Sequence, residues 1–370
     1  MRVGTRRSPA VTKATTTRTT ERGRFGGGLH ASWLAACALA GACAAPAPPV
    51  LAPPKPRPSA PLHHGPLADY VPAASLRWMV LAKPRAILAE PELGPALLQI
   101  VSERRLDAFA ESSGVDLRHV AEGAVAGFPY ATLYLAEVPE GVARAARERF
   151  VERLVAGAVT KQPRPNLTRI TGVVGQTPET LLTADDRLLA VAVGDPLLAK
   201  IAEAYAEERL KNSPSALHGS ALSTLPDLTA DNLAVLLAPG PFADEWRRAA
   251  LGLLESTVAV GVGLKPIGHG KIAATVCLSG AWGETADQAK DRLATAWTSF
   301  VASSAGHLFA LNPVARVNAS SELLTLQVEL DIEPIVRGLK AVVLSDVADL
   351  LQLPDERRQN APKPAPNATP

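Results

Sequence analysis

Histidine, serine and acidic side chains are the groups with which an exported hydrolase would act, and in this chain their order matches none of the usual catalytic motifs. The sequence contains no Ser-x-x-Lys, no His-Glu-x-x-His and no Gly-x-Ser-x-Gly, which are signatures of serine acylases, zinc peptidases and esterases. A hydrolase would need an unrecognised site, built on His218, His269 or His307 with a loop Asp or Ser. We keep this hydrolase as the alternative function and predict no catalytic residue.

Cofactor and metal chemistry also lack their usual motifs. The glycines from Gly261 to Gly270, followed by Lys271, are similar to a phosphate-binding loop, but the Walker spacing fails and Ile272 replaces the required Ser or Thr. The pair His63-His64 lies in a proline-rich stretch, where adjacent histidines are usually solvated. The sequence therefore predicts no cofactor and no metal site.

The cysteines near the N-terminus indicate a different chemistry, the covalent attachment of lipid. Residues 1–42 combine a basic region, an uncharged stretch after Arg24 and a small-residue end, which is the order of a secretory signal. The triplet Ala-Gly-Ala precedes Cys43 and Leu-Ala-Ala precedes Cys37, and both resemble the lipobox whose cysteine is acylated in bacterial lipoproteins. We predict acylation of Cys43, with Cys37 as the alternative. Ordinary cleavage after Ala44, which would give a soluble exported protein, stays open.

The positive charge of the chain belongs to this N-terminal segment. Residues 1–42 hold seven Lys and Arg residues against Glu21, so that removing their net +6 from the total of +2 leaves −4. A nucleic-acid-binding face needs clustered Lys and Arg on the folded body. Because the excess positive charge lies in residues 1–42, a nucleic-acid-binding function loses its main support. The segment is also rich in Ser, Thr and Arg, which is typical of an organellar transit peptide; the lipobox-like cysteines count against that interpretation.

Proline-rich segments flank the part of the chain that can form a core. Residues 43–67 contain nine prolines and predict an extended linker that would hold a folded body away from a membrane. Residues 354–370 predict a disordered tail. Between these segments we predict two α+β halves, at 68–212 and 213–353.

An internal similarity supports these halves. Three strand-to-helix steps recur in the same order, with Leu76–Ala82 matching Leu233–Ala238, Ala131–Pro139 matching Ala274–Trp282, and Arg187–Val193 matching Glu322–Val328. Three ordered matches indicate a tandem duplication.

Alternation of apolar and polar residues predicts antiparallel strands. Residues 324–332 alternate with a period of two, which indicates one buried and one wet face. Residues 258–264 and 271–278 predict a hairpin whose second face is lined by small residues, and Asp185-Asp186-Arg187 predicts a hairpin turn. Residues 142–155 form an amphipathic helix. The fold class predicted is α+β, in two similar tandem halves, each with antiparallel strands and hairpins covered by amphipathic helices.

Large apolar and thiol side chains in the body are predicted to fill cores. Cys277 lies on an apolar strand, where a free cysteine usually behaves as a small buried hydrophobe. Trp246, Trp282 and Trp297 fall on or beside predicted helices, and core packing is expected of all three.

The lipobox-like signal, the proline-rich linker and the Ala- and Arg-rich body together resemble the predicted lipoproteins of unknown function in GC-rich Gram-negative bacteria such as myxobacteria. The resemblance implies a place in the cell envelope, anchored through the acylated cysteine, and no activity. We predict a non-enzymatic envelope protein that binds another envelope protein or a small-molecule ligand in a groove between its halves. A soluble periplasmic or secreted protein is the alternative, and no nucleic acid is expected.

Overall fold

The computed structural model describes residues 61–346, which form one open antiparallel sheet with helices on its two faces. The α+β fold predicted from the sequence is confirmed. Cys37, Cys43, most of the predicted linker and the tail from residue 354 lie outside the described residues.

Twelve strands build the sheet of the described region. They are β1 (Trp78–Ala82), β2 (Glu122–Gly127), β3 (Thr132–Glu137), β4 (Ala156–Arg164), β5 (Leu167–Val174), β6 (Thr177–Ala184), β7 (Leu188–Val193), β8 (Ala234–Pro239), β9 (Thr257–Gly268), β10 (Lys271–Gly280), β11 (Arg316–Ala319) and β12 (Leu323–Asp331). Their order across the sheet is β11-β12-β10-β9-β8-β1-β2-β3-β7-β6-β5-β4, and every pairing is antiparallel.

Nine α-helices connect these strands within residues 61–346. They are α1 (Pro84–Ala89), α2 (Leu93–Leu98), α3 (Glu103–Ser113), α4 (Val142–Arg153), α5 (Pro196–Ala206), α6 (Asp244–Ala249), α7 (Ala286–Val301), α8 (Ser304–Leu308) and α9 (Ile332–Asp346). Local sequence sets several boundaries. At α5, for example, Pro196 occupies the first turn and Asp195 accepts a hydrogen bond from the Leu197 N–H at 2.8 Å, which is a standard N-cap.

The two halves of the chain use the same strand order outward from the centre. β1 and β8 pair in the middle, followed by β2, β3, β7 and β6 on one side and by β9, β10, β12 and β11 on the other. The pairs Met79–Leu237 and Leu81–Val235 flank the pair Val80–Leu236, so a pseudo-twofold axis runs through that central pair. The halves therefore share one continuous sheet.

Strand pairing gives the correspondence between the halves residue by residue. From Val80 and Leu236 outward, Val125 corresponds to Val262 and Tyr134 to Val276. The sequence match of Ala131 with Ala274 is therefore one residue out of register along these strands, since it would place equivalent side chains on opposite faces. The other two matches agree with the pairing.

One face of the sheet, called here the α4/α7 face, is covered by α4 in the first half and by α7 in the second. Phe150 of α4 is buried in one cluster with Leu181 of β6, and Leu293 of α7 is buried in another with Leu324 of β12. The predicted alternation of the last strand is confirmed, since Leu324, Leu326 and Val328 are buried whereas Gln327 and Glu329 are exposed. No described helix combines the length and apolar character that crossing a bilayer requires.

The opposite face, called the α5 face, holds the main core. Helix α5 packs there on β6 and β7, and the small residues predicted on the second face of the β9–β10 hairpin let loop leucines approach closely. A Cβ at Gly261 would collide with the side chain of Leu228. Cys277 is buried on this face as predicted, and burial raises the pKa of its thiol to about 11.

Three packing predictions need correction. Trp246 was expected in a core but is 65% exposed, whereas Trp282 is buried as expected and Trp297 partly so. The stripe of α4 is shorter than predicted, because the helix ends at Arg153 and Val155 is exposed. At the end of the predicted linker, Leu62 and Leu67 are buried against the α5 face, so the chain packs onto the sheet from residue 62.

Candidate functional site

An apolar cavity of about 640 Å³ lies on the α4/α7 face, entirely within the first half. Its floor is formed by β1, β2, β3, β7 and β6, and its roof by α3, α4 and the turn that follows α3. The lining residues are Val80, Ala82, Pro84, Phe109, Ser113, Val115, Leu117, Val120, Gly123, Ala124, Val125, Tyr134, Leu135, Ala136, Ala146, Phe150, Arg153, Glu179, Leu181, Leu189, Val191 and Val193. This volume is within the range of roughly 300–1,000 Å³ that small-molecule sites occupy.

Small residues on the floor create this space. Gly123 of β2 and Ala136 of β3 pair with each other and line the cavity, where longer side chains would fill the gap. The Trp78 indole lies over Gly127, at which a Cβ would collide with the ring. The floor is therefore flat and apolar, with the Trp78 indole at one side.

The roof is held in place by contacts at both helices. Gly114, at the end of α3, has φ +73° and touches the α4 backbone so closely that a Cβ would collide with Ala145. This conformation and this approach both favour glycine. The beginning of α4 is tied to the β6–β7 turn, because the Gly141 N–H donates to Asp186 Oδ2 at 2.9 Å and Arg147 donates to Thr183 Oγ1 at 3.0 Å. The two helices are thus fixed above the floor.

Only two charged side chains line the cavity in the described structure. Arg153 ends α4, and its guanidinium lies over the Phe150 ring, 5.6 Å from the centroid. Glu179 of β6 is half-buried, and desolvation raises the pKa of its carboxyl, with the positive charge of Arg153 opposing that rise. Phe109 and Tyr134 remain nearly half exposed at the cavity. The site is therefore an apolar trough with one charged end.

A second group of titratable residues lies where the chain reaches the α5 face. Asp69 contacts two histidines, with Oδ1 at 2.9 Å from His218 Nδ1 and Oδ2 at 3.2 Å from His63 Nε2. Ser215 Oγ lies 3.4 Å from the same His218 Nδ1. A Ser-His-Asp arrangement requires the serine and the aspartate on opposite ring nitrogens, so this group lacks that geometry. His64, predicted to be solvated, lies 3.1 Å from Asp185.

The other candidate histidines do not join this group. His269 occupies the β9–β10 turn and His307 lies on α8. His119 is exposed and pairs with Asp116 at 3.4 Å. Within residues 61–346, no three His, Cys, Asp or Glu side chains are arranged to hold a metal ion. The described geometry therefore gives the hydrolase alternative no catalytic arrangement.

A groove also lies between the halves, but nearly half of its lining residues are charged. It has a volume of about 600 Å³ and lies between α2 and α9. Five charged residues line it, Glu92, Asp331, Glu333, Arg337 and Lys340, and Arg337 pairs with Glu333 at 2.8 Å. The apolar cavity is thus the better candidate for binding a small ligand.

Sequence reasoning did not find this cavity. The sequence predicts no role for the cavity's two charged residues, Arg153 and Glu179. The available signal was the small size of Gly123 and Ala136, which becomes informative only when strand pairing places them side by side.

Comparisons with known proteins bear on the fold alone. No protein-family model and no curated protein matches this chain. Among solved structures, crystal form III of TP0453 is similar with a TM-score of 0.44 and 10% identity, covering 74% of this chain and 97% of that one. Crystal form I of TP0453 is similar with a TM-score of 0.39 and 8% identity, covering 74% of this chain and 96% of that one. A likeness at this level gives no argument about function.

Proposed function

We propose that this chain is a non-enzymatic cell-envelope lipoprotein, anchored through Cys43, whose folded body binds an apolar ligand in the cavity beneath α3 and α4. The observation that carries the binding role is the cavity itself. Its lining is apolar and partly exposed to solvent, so that a ligand of matching shape would pack against it and remove apolar surface from water.

The anchoring part of the proposal rests on the sequence of the N-terminal region. Small residues precede Cys43, a basic and then uncharged segment precedes them, and a proline-rich stretch follows. Such a stretch favours an extended chain of about 3.1 Å per residue, which would hold the body clear of the membrane surface.

The anchor is tested by the intact mass of the mature N-terminus, purified from the membrane fraction of a host that processes lipoproteins. A diacyl or triacyl mass on Cys43 supports the proposal, and the same mass on Cys37 moves the anchor to the alternative cysteine. An unmodified N-terminus at Ala45 would instead give a soluble periplasmic or secreted protein, with the binding role still to be tested by itself.

The binding role is tested with N-phenyl-1-naphthylamine, a dye that fluoresces when it enters an apolar site. We expect saturable binding by the folded protein and loss of binding in the Ala136→Leu variant, because the larger side chain would project from the cavity floor. Ala158→Leu is the matched control, since Ala158 is an exposed strand residue on β4 outside the cavity. Equal dye binding by all three proteins would place the dye elsewhere and count against the proposal.

A further inference from the structure

We propose that the cavity ligand is a single-chain zwitterionic amphiphile, whose anionic and cationic head groups meet Arg153 and Glu179 while its tail lies along the apolar floor. This inference rests on the proposed function of the cavity and specifies the chemistry of its ligand. It is carried by the shape of the cavity and by the position of its two charges.

The residues that line the cavity follow a diagonal across the sheet. The lining extends across five adjacent strands, from Glu179 on β6 to Ala82 on β1. Glu179 at one end of the lining pairs with Val193 of β7. Ala82 at the other end pairs with Gly123, which pairs with Ala136. This second row of paired residues crosses β7 four residues away from Val193. Four residues correspond to about 13 Å along the strands and four strand spacings to about 19 Å across them. An extended aliphatic chain fits this diagonal, and the volume of about 640 Å³ suits one chain better than two.

Both charges of the cavity lie at one end of that diagonal. Glu179 is at the β6 end of the floor, and Arg153 is the last residue of α4 above it. Everything else that lines the cavity is uncharged. An amphiphile would therefore enter with its tail toward Ala82 and Gly123 and leave its head at the end where Arg153 and Glu179 lie.

The two charges are close enough to influence each other but do not form an ion pair. Among the described residues, neither Arg153 nor Glu179 forms a salt bridge within 4.0 Å. Burial raises the pKa of the Glu179 carboxyl, and the positive charge of Arg153 partly opposes this rise. The carboxylate thus lacks a hydrogen-bond donor in the described structure, and the guanidinium has only the Phe150 ring. The carboxylate can therefore still accept hydrogen bonds from a cationic group, and the guanidinium can still donate them to an anionic group.

A zwitterion is the head group that satisfies both residues. A purely anionic head would pair with Arg153 but place a second negative charge beside Glu179, and a purely cationic head would meet the repulsion of Arg153. A neutral head would leave both charges without a counter-charge in a partly desolvated site. A phosphate next to an ammonium group offers an acceptor for the guanidinium fork and a donor for the carboxylate.

The test compares four ligands with the same saturated chain, each below its critical micelle concentration, in competition with the fluorescent dye. The ligands are palmitoyl lysophosphatidylethanolamine, monopalmitoylglycerol, palmitate and hexadecylamine, which have zwitterionic, neutral, anionic and cationic heads. We expect the zwitterion to bind about tenfold more tightly than the neutral ligand, which corresponds to about 1.4 kcal/mol. Arg153→Gln and Glu179→Gln should each remove most of this preference, so that the zwitterionic and neutral ligands bind with similar affinity.

The matched control is Arg149→Gln. Arg149 lies one turn earlier on α4, is exposed and pairs with Glu152 at 2.8 Å, so its loss should change neither affinity. If none of the four ligands displaces the dye, the proposed function itself fails. If the neutral ligand binds as tightly as the zwitterion, or if palmitate or hexadecylamine binds most tightly, the cavity keeps its role and the zwitterionic assignment is overturned.

Discussion

Two strand residues that line the cavity beneath α4 in the first half are small, whereas their counterparts facing α7 in the second half are large. Ala136 corresponds to Leu278 and Gly123 to Val260. The first half is hollow at these positions and encloses the cavity, while Leu278 joins the buried cluster that fills the second half.

The two halves thus have the same architecture and differ in how their side chains pack. The two halves share strand order, helix placement and pairing, so topology alone does not make a cavity. The volume of a few side chains decides it: Gly123 and Ala136 stand where valine and leucine stand in the other half. In addition, Trp282 and Trp297 enlarge the core of the second half. One duplicated framework thus supports a filled core on one side and a candidate binding site on the other.

The largest expected effect comes from emptying the filled half. Trp282 is 5% exposed and lies among Leu253, Leu278 and Leu324. Trp282→Ala should lower the free energy of unfolding by about 3–5 kcal/mol, as buried aromatic truncations do. Urea denaturation of both proteins measures this loss.

Trp246→Ala is the matched control, because Trp246 is largely exposed. It should change the free energy of unfolding by less than about 0.5 kcal/mol. A similar loss in both variants would contradict the view that Trp282 fills the second half.

The next effect comes from giving the second half the small residue of the first. Leu278→Ala removes a buried side chain at the position equivalent to Ala136. It should cost about 2–5 kcal/mol and open a new apolar space that binds xenon, detectable by NMR. Leu236→Ala, at an exposed position on β8, should cost less and bind no xenon.

A smaller effect is expected from the opposite exchange. Ala136→Leu places a leucine where the second half already has one, and the cavity offers room for it. The free energy of unfolding should change by less than about 1.5 kcal/mol. Ala274→Leu, at a buried position in the filled half, should cost about 1–3 kcal/mol by overpacking. Equal losses in urea denaturation would mean that the first half is no less tightly packed than the second.

Periodicity and turn chemistry predicted much of this fold from the sequence. The alternation of residues 324–332 predicted a half-buried strand, and Asp185-Asp186 predicted the turn between β6 and β7, where both residues have positive φ. These features are local, so a single sequence contains them. The duplication was also visible, because it repeats local patterns in order.

The cavity could not be predicted in the same way. Its floor depends on which residues of β2, β3 and β7 lie side by side, and the match of Ala131 with Ala274 was one residue out of register. A shift of one residue moves every side chain to the other face of a sheet. Exposure of Trp246 was equally invisible, since a tryptophan on a short helix gives no local sign of whether another element covers it.

The smallest expected effect concerns the charged end of the cavity, which has no counterpart in the second half. Burial raises the pKa of Glu179 above its ordinary value of 4.5, so the folded state binds a proton more tightly than the unfolded state does. The ionised carboxylate therefore weakens the fold at neutral pH, and this penalty disappears as the pH falls through the raised pKa toward 4.5. Glu179→Gln should then be more stable than the parent protein at pH 7, by less than about 1 kcal/mol because the site is half open to solvent. The two proteins should become equally stable below the ordinary pKa.

Thermal unfolding of both proteins across this pH range measures the difference. The exposed Glu148→Gln on α4 is the control and should stay within about 0.5 kcal/mol of the parent throughout. A Glu179→Gln variant that is less stable at neutral pH would show that the carboxylate already has a stabilising partner within the protein. In that case the charged end of the cavity would already be paired. The two halves would then differ only in the apolar floor between Ala82 and Ala136.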